Sequence, residues 1–129
     1  MKLLKTILKQ ISMVLNLPYT LLYALFALAA YRVRRVHTSG GCVIFVVDKI
    51  RVGYESTAGQ TIGWLVCVEK PYEYNQRLIN HELVHAQKQF LRYPLVFPLM
   101  YGAAALVAVA QGGHGYYDNY FEREARRLS

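Results

Sequence analysis

Acidic side chains are scarce in this sequence: eight Asp and Glu stand against fifteen Lys and Arg, a formal charge of +7 over 129 residues. That deficit restricts surface partners to anionic ones, lipid head groups or nucleic acid. Cysteine occurs only at Cys42 and Cys67, without metal-site spacing, which excludes a cysteine zinc site and a multi-bridge disulfide framework. Each lies in a strand-like run, where it reads as a small buried apolar residue or as one half of a single bridge between neighbouring strands. No internal repeat or low-complexity tract occurs, so neither a repeat array nor a linker is expected. A long uninterrupted apolar run is missing too. Counted from Ile11, the first apolar stretch just reaches spanning length; counted from Leu17, it falls short.

What is present is apolar and basic: 54% hydrophobic, 18% charged, mean hydropathy +0.16, in one domain's worth of chain. The basic residues cluster beside apolar runs (Lys2, Lys5, Lys9; Arg32, Arg34, Arg35) and form no polar stripe, which favours a lipid bilayer over nucleic acid as the partner. At helical spacing Lys2, Lys5, Lys9, Ser12 and Asn16 share one face, with Leu4, Ile7, Leu8, Ile11 and Leu15 on the other, the pattern of a helix in the membrane interface. Pro18 permits a kink before the apolar stretch Leu17 to Tyr31. A secretory signal is the competing reading, but Tyr31-Arg32-Val33-Arg34 makes a poor cleavage site, so the segment is expected to remain. Positive charge on both flanks assigns no orientation.

After Ser39-Gly40-Gly41 the periodicity changes. Cys42 to Val47, the alternating Lys49 to Tyr54, and Thr61 to Val68 predict a small antiparallel sheet of two to four strands, closed by Pro71. Asn75 can cap a helix to about Arg92, on which Ile79, Leu83, Ala86 and Phe90 form the apolar stripe and His81 and His85 lie opposite. Pro94 ends it. A second apolar stretch, Leu95 to Ala110, is interrupted by Pro98, and beyond Gly112-Gly113 a short polar helix runs from about Asp118 to Leu128. The expected fold class is therefore α+β, with a membrane-anchoring amphipathic and apolar part at 1–37. A compact domain at 38–129 carries the sheet, the histidine helix and antiparallel helices, including an apolar helix at 95–110.

The chemistry concentrates in His81-Glu82-Leu83-Val84-His85. Spacing of i and i+4 puts both imidazoles on one helical face, where they can share a tetrahedral ion, expected to be one Zn²⁺ per chain. Glu82 is placed to take a proton from a zinc-activated water as it attacks a carbonyl. A catalytic zinc needs a third protein ligand, and His37, His114, Asp118, Glu122 and Glu124 are all open on residue type alone.

His-Glu-x-x-His followed, past an apolar proline-containing segment, by Glu122-Arg123-Glu124-Ala125 resembles the gluzincin class of zinc metallopeptidases, and within it small membrane-associated bacterial proteins. The resemblance covers roughly residues 59–127. It implies Glu122 as the third zinc ligand and Glu124 as a residue orienting a ligand histidine or the neighbouring helix. It also implies an edge strand above the zinc helix, Thr61, Ile62, Gly63 and Trp64, that pairs with an extended peptide or protein substrate. His114, Tyr116 and Tyr117 are candidate oxyanion donors near the metal. The sequence departs from the pattern at Tyr120, where proline is common, and at Arg126, where related motifs carry an Asp beside a zinc histidine. The implied activity is peptide hydrolysis at a bacterial cytoplasmic membrane. The rival is a non-catalytic metal-binding membrane protein, an accessory subunit of a larger complex, although a purely structural site has no need of Glu82. For Glu122 to share an ion with His81 and His85, the stretch Leu95 to Ala110 must return rather than cross the bilayer.

Overall fold

A computed structural model describes residues 1–52 and 58–129. The described residues form an α+β fold. Helices α1 (Lys2–Leu15) and α2 (Leu17–Ala30) precede strands β1 (Val33–Ser39), β2 (Cys42–Val47), β3 (Gly59–Ile62) and β4 (Leu65–Glu69). A 3₁₀ turn at Lys70–Tyr72 then leads to α3 (Gln76–Val84), α4 (Phe97–Ala110) and α5 (Tyr120–Leu128).

The sheet is mixed, in the order β1-β2-β4-β3, which corrects the antiparallel expectation. Pairs β1–β2 and β3–β4 are antiparallel, but β4 inserts beside β2 in parallel, with Phe45 opposite Cys67. The reason is the turn at Gly63-Trp64. It splits the run Thr61 to Val68 into a hairpin, and folding β4 back from β3 lays it along β2. Gly63 adopts φ +64° there, and a Cβ would strike the Thr20 hydroxyl. Lys49 to Val52 is not a strand: Ile50 is buried and its N–H donates to Glu69 Oε2 at 2.9 Å. The last two residues of that expected strand, 53 and 54, lie outside the described residues. Strand β1 was not anticipated. Its Arg34 and Arg35 are exposed side chains of a sheet edge, and Arg34 pairs with Asp48 at 2.7 Å.

Both faces of the sheet are covered, which explains why β2 and β4 read as continuous apolar runs. Phe45, Val47, Leu65 and Cys67 pack against Tyr23, Ala27 and Tyr31 from α2 and its end. Ile44, Val46 and Val66 pack against Ile79 and Ala86 on the histidine helix. Cys42 and Cys67 thus belong to opposite faces of the sheet and are free buried thiols. Burial pushes the Cys67 thiol up to about 12, as expected of an inert core residue.

One face of the segment 1–30 also packs on the rest of the chain. The lysines of α1 are exposed, but Ser12 and Asn16 on the same face are buried against the histidine helix. Among the described residues no single helix is long and apolar enough to cross a membrane; α1 and α2 meet that test only as a pair bent by 49°.

Candidate metal centre

The histidine helix begins where Asn75 accepts the Leu78 N–H at 3.1 Å, a side-chain N-cap. Helix α3 continues without a break into a π-helical segment, His85–Phe90, so the regular α-helix expected to Arg92 changes its turn at the second histidine. The π segment is the local feature that 3.6-residue periodicity misses. Phe90 leaves the stripe that Ile79 and Ala86 turn toward the sheet and joins Phe97 and Phe121 in a separate cluster.

His81, His85 and Glu122 converge. His81 Nε2 lies 2.8 Å from Glu122 Oε2 and His85 Nε2 lies 3.2 Å from the same oxygen. The three candidate ligand atoms all fall within 4.8 Å of one another. Two imidazoles and a carboxylate, of which His85 and Glu122 line a cavity, match the donor set of a three-ligand metal centre that keeps a position open. The group could hold a metal ion.

Glu122 reaches the histidines because the start of α5 is held by its neighbours. Asn119, fully buried, caps α5 by accepting the Phe121 N–H at 2.9 Å and donates to the Tyr101 carbonyl at 3.2 Å. Phe121 stacks edge-on against Phe97 at 5.0 Å, and Tyr101 O–H donates to Glu122 Oε1 at 2.9 Å. Helix α4 therefore returns the chain to the histidine helix. Burial pushes the Glu122 carboxyl up, but hydrogen bonds and charge from His81 and His85 outweigh it and hold it at about 2. Burial likewise opposes protonation of His85, yet Glu122 and Glu82 raise it to about 9.

Glu82 lies beside the triad without joining it. Its Oε2 accepts from Thr61 Oγ1 at 2.5 Å, and burial raises its pKa against the opposing pull of His85, Thr61 and His81. Gly59 on β3 makes room for it: a Cβ there would sit 2.9 Å from Glu82 Cγ and Oε1. Together with Glu122 and His85, Glu82 lines a cavity of about 370 Å³ whose remaining wall is mostly apolar.

The other expected residues divide. Thr61 and Ile62 lie on β3, which has no second strand neighbour among the described residues, whereas Gly63 and Trp64 form the turn beyond it. Tyr116 lines the cavity, and burial together with the Glu122 and Glu82 charges raises its phenol, keeping it an O–H donor. His114 does not line it; its Nδ1 accepts from the Tyr116 and Tyr117 N–H groups at 3.0 and 3.2 Å, stabilising the turn before α5. Tyr117 is half exposed and lines a different pocket on the His81 side. Glu124 reaches the site through another residue, Gln89.

Gln89 is what residue-by-residue reading missed. Fully buried, it accepts from His85 Nδ1 at 2.6 Å and donates to the Phe121 carbonyl at 2.8 Å and Glu124 Oε1 at 3.0 Å. Its i+4 spacing from His85 was the available signal. Arg126, in place of an acidic partner, donates instead to the Tyr117 carbonyl. Tyr101 and Gly59 carried no sequence signal for the site.

Comparison with known proteins finds no matching family model, no matching curated protein and no matching solved structure. What the site does therefore follows from its own chemistry.

Proposed function

We propose that this chain is a membrane-associated zinc metallopeptidase. The observation that carries the reading is the juxtaposition of two groups: a three-ligand cluster of His81, His85 and Glu122, and a separate buried carboxylate, Glu82, on the wall of the cavity that His85 and Glu122 also line. A metal kept for structure is closed off by four protein ligands and has no use for an adjacent base.

Zinc held there would supply Lewis acidity, lowering the pKa of a water toward neutrality and polarising the substrate carbonyl. Every other step belongs to the chain. Gln89 fixes His85 as the Nδ1–H tautomer, leaving the Nε2 lone pair for the ion. Glu82, raised by burial and anchored by Thr61, accepts the attacking water's proton and can return it to the leaving amine. The Tyr116 phenol donates toward the developing oxyanion. Strand β3, with one edge unpaired among the described residues, aligns an extended peptide by main-chain hydrogen bonds.

The bilayer enters through composition. Leu4, Ile7, Leu8 and Ile11 on α1, Leu22 and Leu25 on α2, and Leu99 and Leu106 on α4 are all large exposed apolar residues, with Lys2, Lys5 and Lys9 beside them. Helices of that kind lie in a head-group boundary. The deciding experiment is elemental analysis of detergent-purified protein with a peptide-hydrolysis assay, for wild type, His81→Ala, Glu122→Ala and Glu82→Gln. About one zinc per chain, lost in His81→Ala, weakened in Glu122→Ala and kept with hydrolysis abolished in Glu82→Gln, is the expected result. Equal hydrolysis by Glu82→Gln and wild type would sink the assignment of the base.

A further inference from the structure

The candidate metal ligands stand between two cavities of unlike chemistry. One, about 370 Å³, lies under β3 and is walled by Ile62, Phe90, Phe97 and Pro98 around Glu82 and Glu122. The other, about 380 Å³, opens on the far side of His81, and the guanidinium-bearing Arg77 and Arg126 contribute to its wall. Tyr116 lines both. No Asp or Glu side chain lines the second cavity among the described residues; Ser129 completes its wall, Arg126 donates to the Tyr117 carbonyl there, and Arg77 pairs with no carboxylate side chain.

We propose that the substrate carries an acidic group on one side of the scissile bond, bound by Arg77 and Arg126, and an apolar group on the other, bound under β3. This deepens the metallopeptidase reading and rests on it. Electrostatics set the polarity. An acidic group placed under β3 would lose its hydration in an apolar pocket that already holds two carboxylates. The same group beyond His81 meets two positive charges, and guanidinium forks match carboxylate geometry. A substrate extended past Tyr116 therefore has one favourable direction across the metal. The carboxylate has two sources, an Asp or Glu side chain or the free end of a peptide chain.

Three matched hydroxamates test this. Each grips zinc and carries an isobutyl group for the apolar cavity. One ends in glutamate with an amidated terminus, one in glutamine with a free carboxyl terminus, and one in amidated glutamine. Their affinities for the full zinc-loaded chain in detergent are measured by calorimetry, alongside Arg77→Gln/Arg126→Gln. One acidic compound should bind about tenfold tighter than the neutral one, an advantage reduced at high salt and lost in the double variant. Which compound gains identifies the source of the carboxylate. Equal affinities of all three for wild type, with zinc-dependent binding intact, would overturn the acidic subsite and leave the metal centre standing. An advantage that survives the double variant would equally overturn the role of these arginines. Absence of zinc-dependent binding by any compound would bring down the metallopeptidase reading with it.

Discussion

Gln89 Oε1 accepts the Nδ1 proton of His85 at 2.6 Å while Gln89 Nε2 is held by the Phe121 carbonyl, joining the histidine helix to the helix that carries Glu122. One amide therefore sets both the tautomer of a candidate metal ligand and the seat of its partner. Gln89→Leu keeps the volume but removes the acceptor and strands two buried acceptors on α5. We expect zinc affinity to fall by roughly 10- to 100-fold, measured by competition with a chromophoric chelator. Unchanged affinity would mean that His85 is oriented by something else.

The contact between Gly59 and Glu82 separates the proposed base from the candidate metal ligands. The Cβ of Gly59→Ala would sit 2.9 Å from the Glu82 side chain, so the carboxylate must move while His81, His85 and Glu122 stay untouched. The expected outcome is full zinc content with hydrolysis reduced on the order of 10²-fold or more, as when a general base is misplaced. Loss of zinc together with activity would show instead that β3 holds the ligands themselves.

The titration of the candidate ligands fixes a pH dependence with opposite signs at its two ends. Glu122 is depressed from 4.5 to about 2, so its stabilising contribution is complete above 4.5 and lost as pH falls toward 2. His85 is raised from 6.5 to about 9, so its contribution is complete below 6.5 and lost as pH rises through 9. The metal-free protein should therefore draw most from this pair between pH 4.5 and 6.5. Zinc must displace the His85 proton, so its affinity should climb by about tenfold per pH unit over the raised range, read by titration at several pH values. A flat profile would remove His85 from the ligand set.

These residues differ in how far the sequence announces them. His81, Glu82 and His85 are legible because the chemistry demands adjacent turns of one helix. Glu122 is brought back by α4 and α5 from 37 residues beyond His85, a closure that no local pattern encodes, and only the resemblance pointed to it. Strand β1 was hidden because Arg32, Arg34 and Arg35 look alike at the end of an anchor and on a sheet edge. The parallel pairing of β2 with β4 depends on a partner chosen outside the local run. Ser12 and Asn16 sit at the same helical spacing as three exposed lysines, and only tertiary packing separates buried from solvated members of that face.

That packing makes the N-terminal segment part of the scaffold of the candidate metal centre. Asn16 Nδ2 donates to the Phe90 carbonyl at 3.0 Å and Ser12 Oγ to the Leu91 carbonyl at 2.8 Å, where the π segment ends. Asn16 Oδ1 also faces the N–H of Leu95 at 3.4 Å, a non-glycine residue held at φ +66°. Asn16→Ala would remove the donor to the buried Phe90 carbonyl, at about 1–3 kcal/mol, and the acceptor facing the Leu95 N–H. The variant should melt several degrees lower and bind zinc more weakly, since the helix that carries His85 loses its end restraint. Replacing Lys2, Lys5 and Lys9 by Gln should do the reverse: melting and zinc content unchanged, and binding to anionic vesicles weaker by about 1 kcal/mol per lysine. If Asn16→Ala instead melted like wild type and altered only vesicle binding, α1 and α2 would be an anchor alone, and the histidine helix would hold its own end.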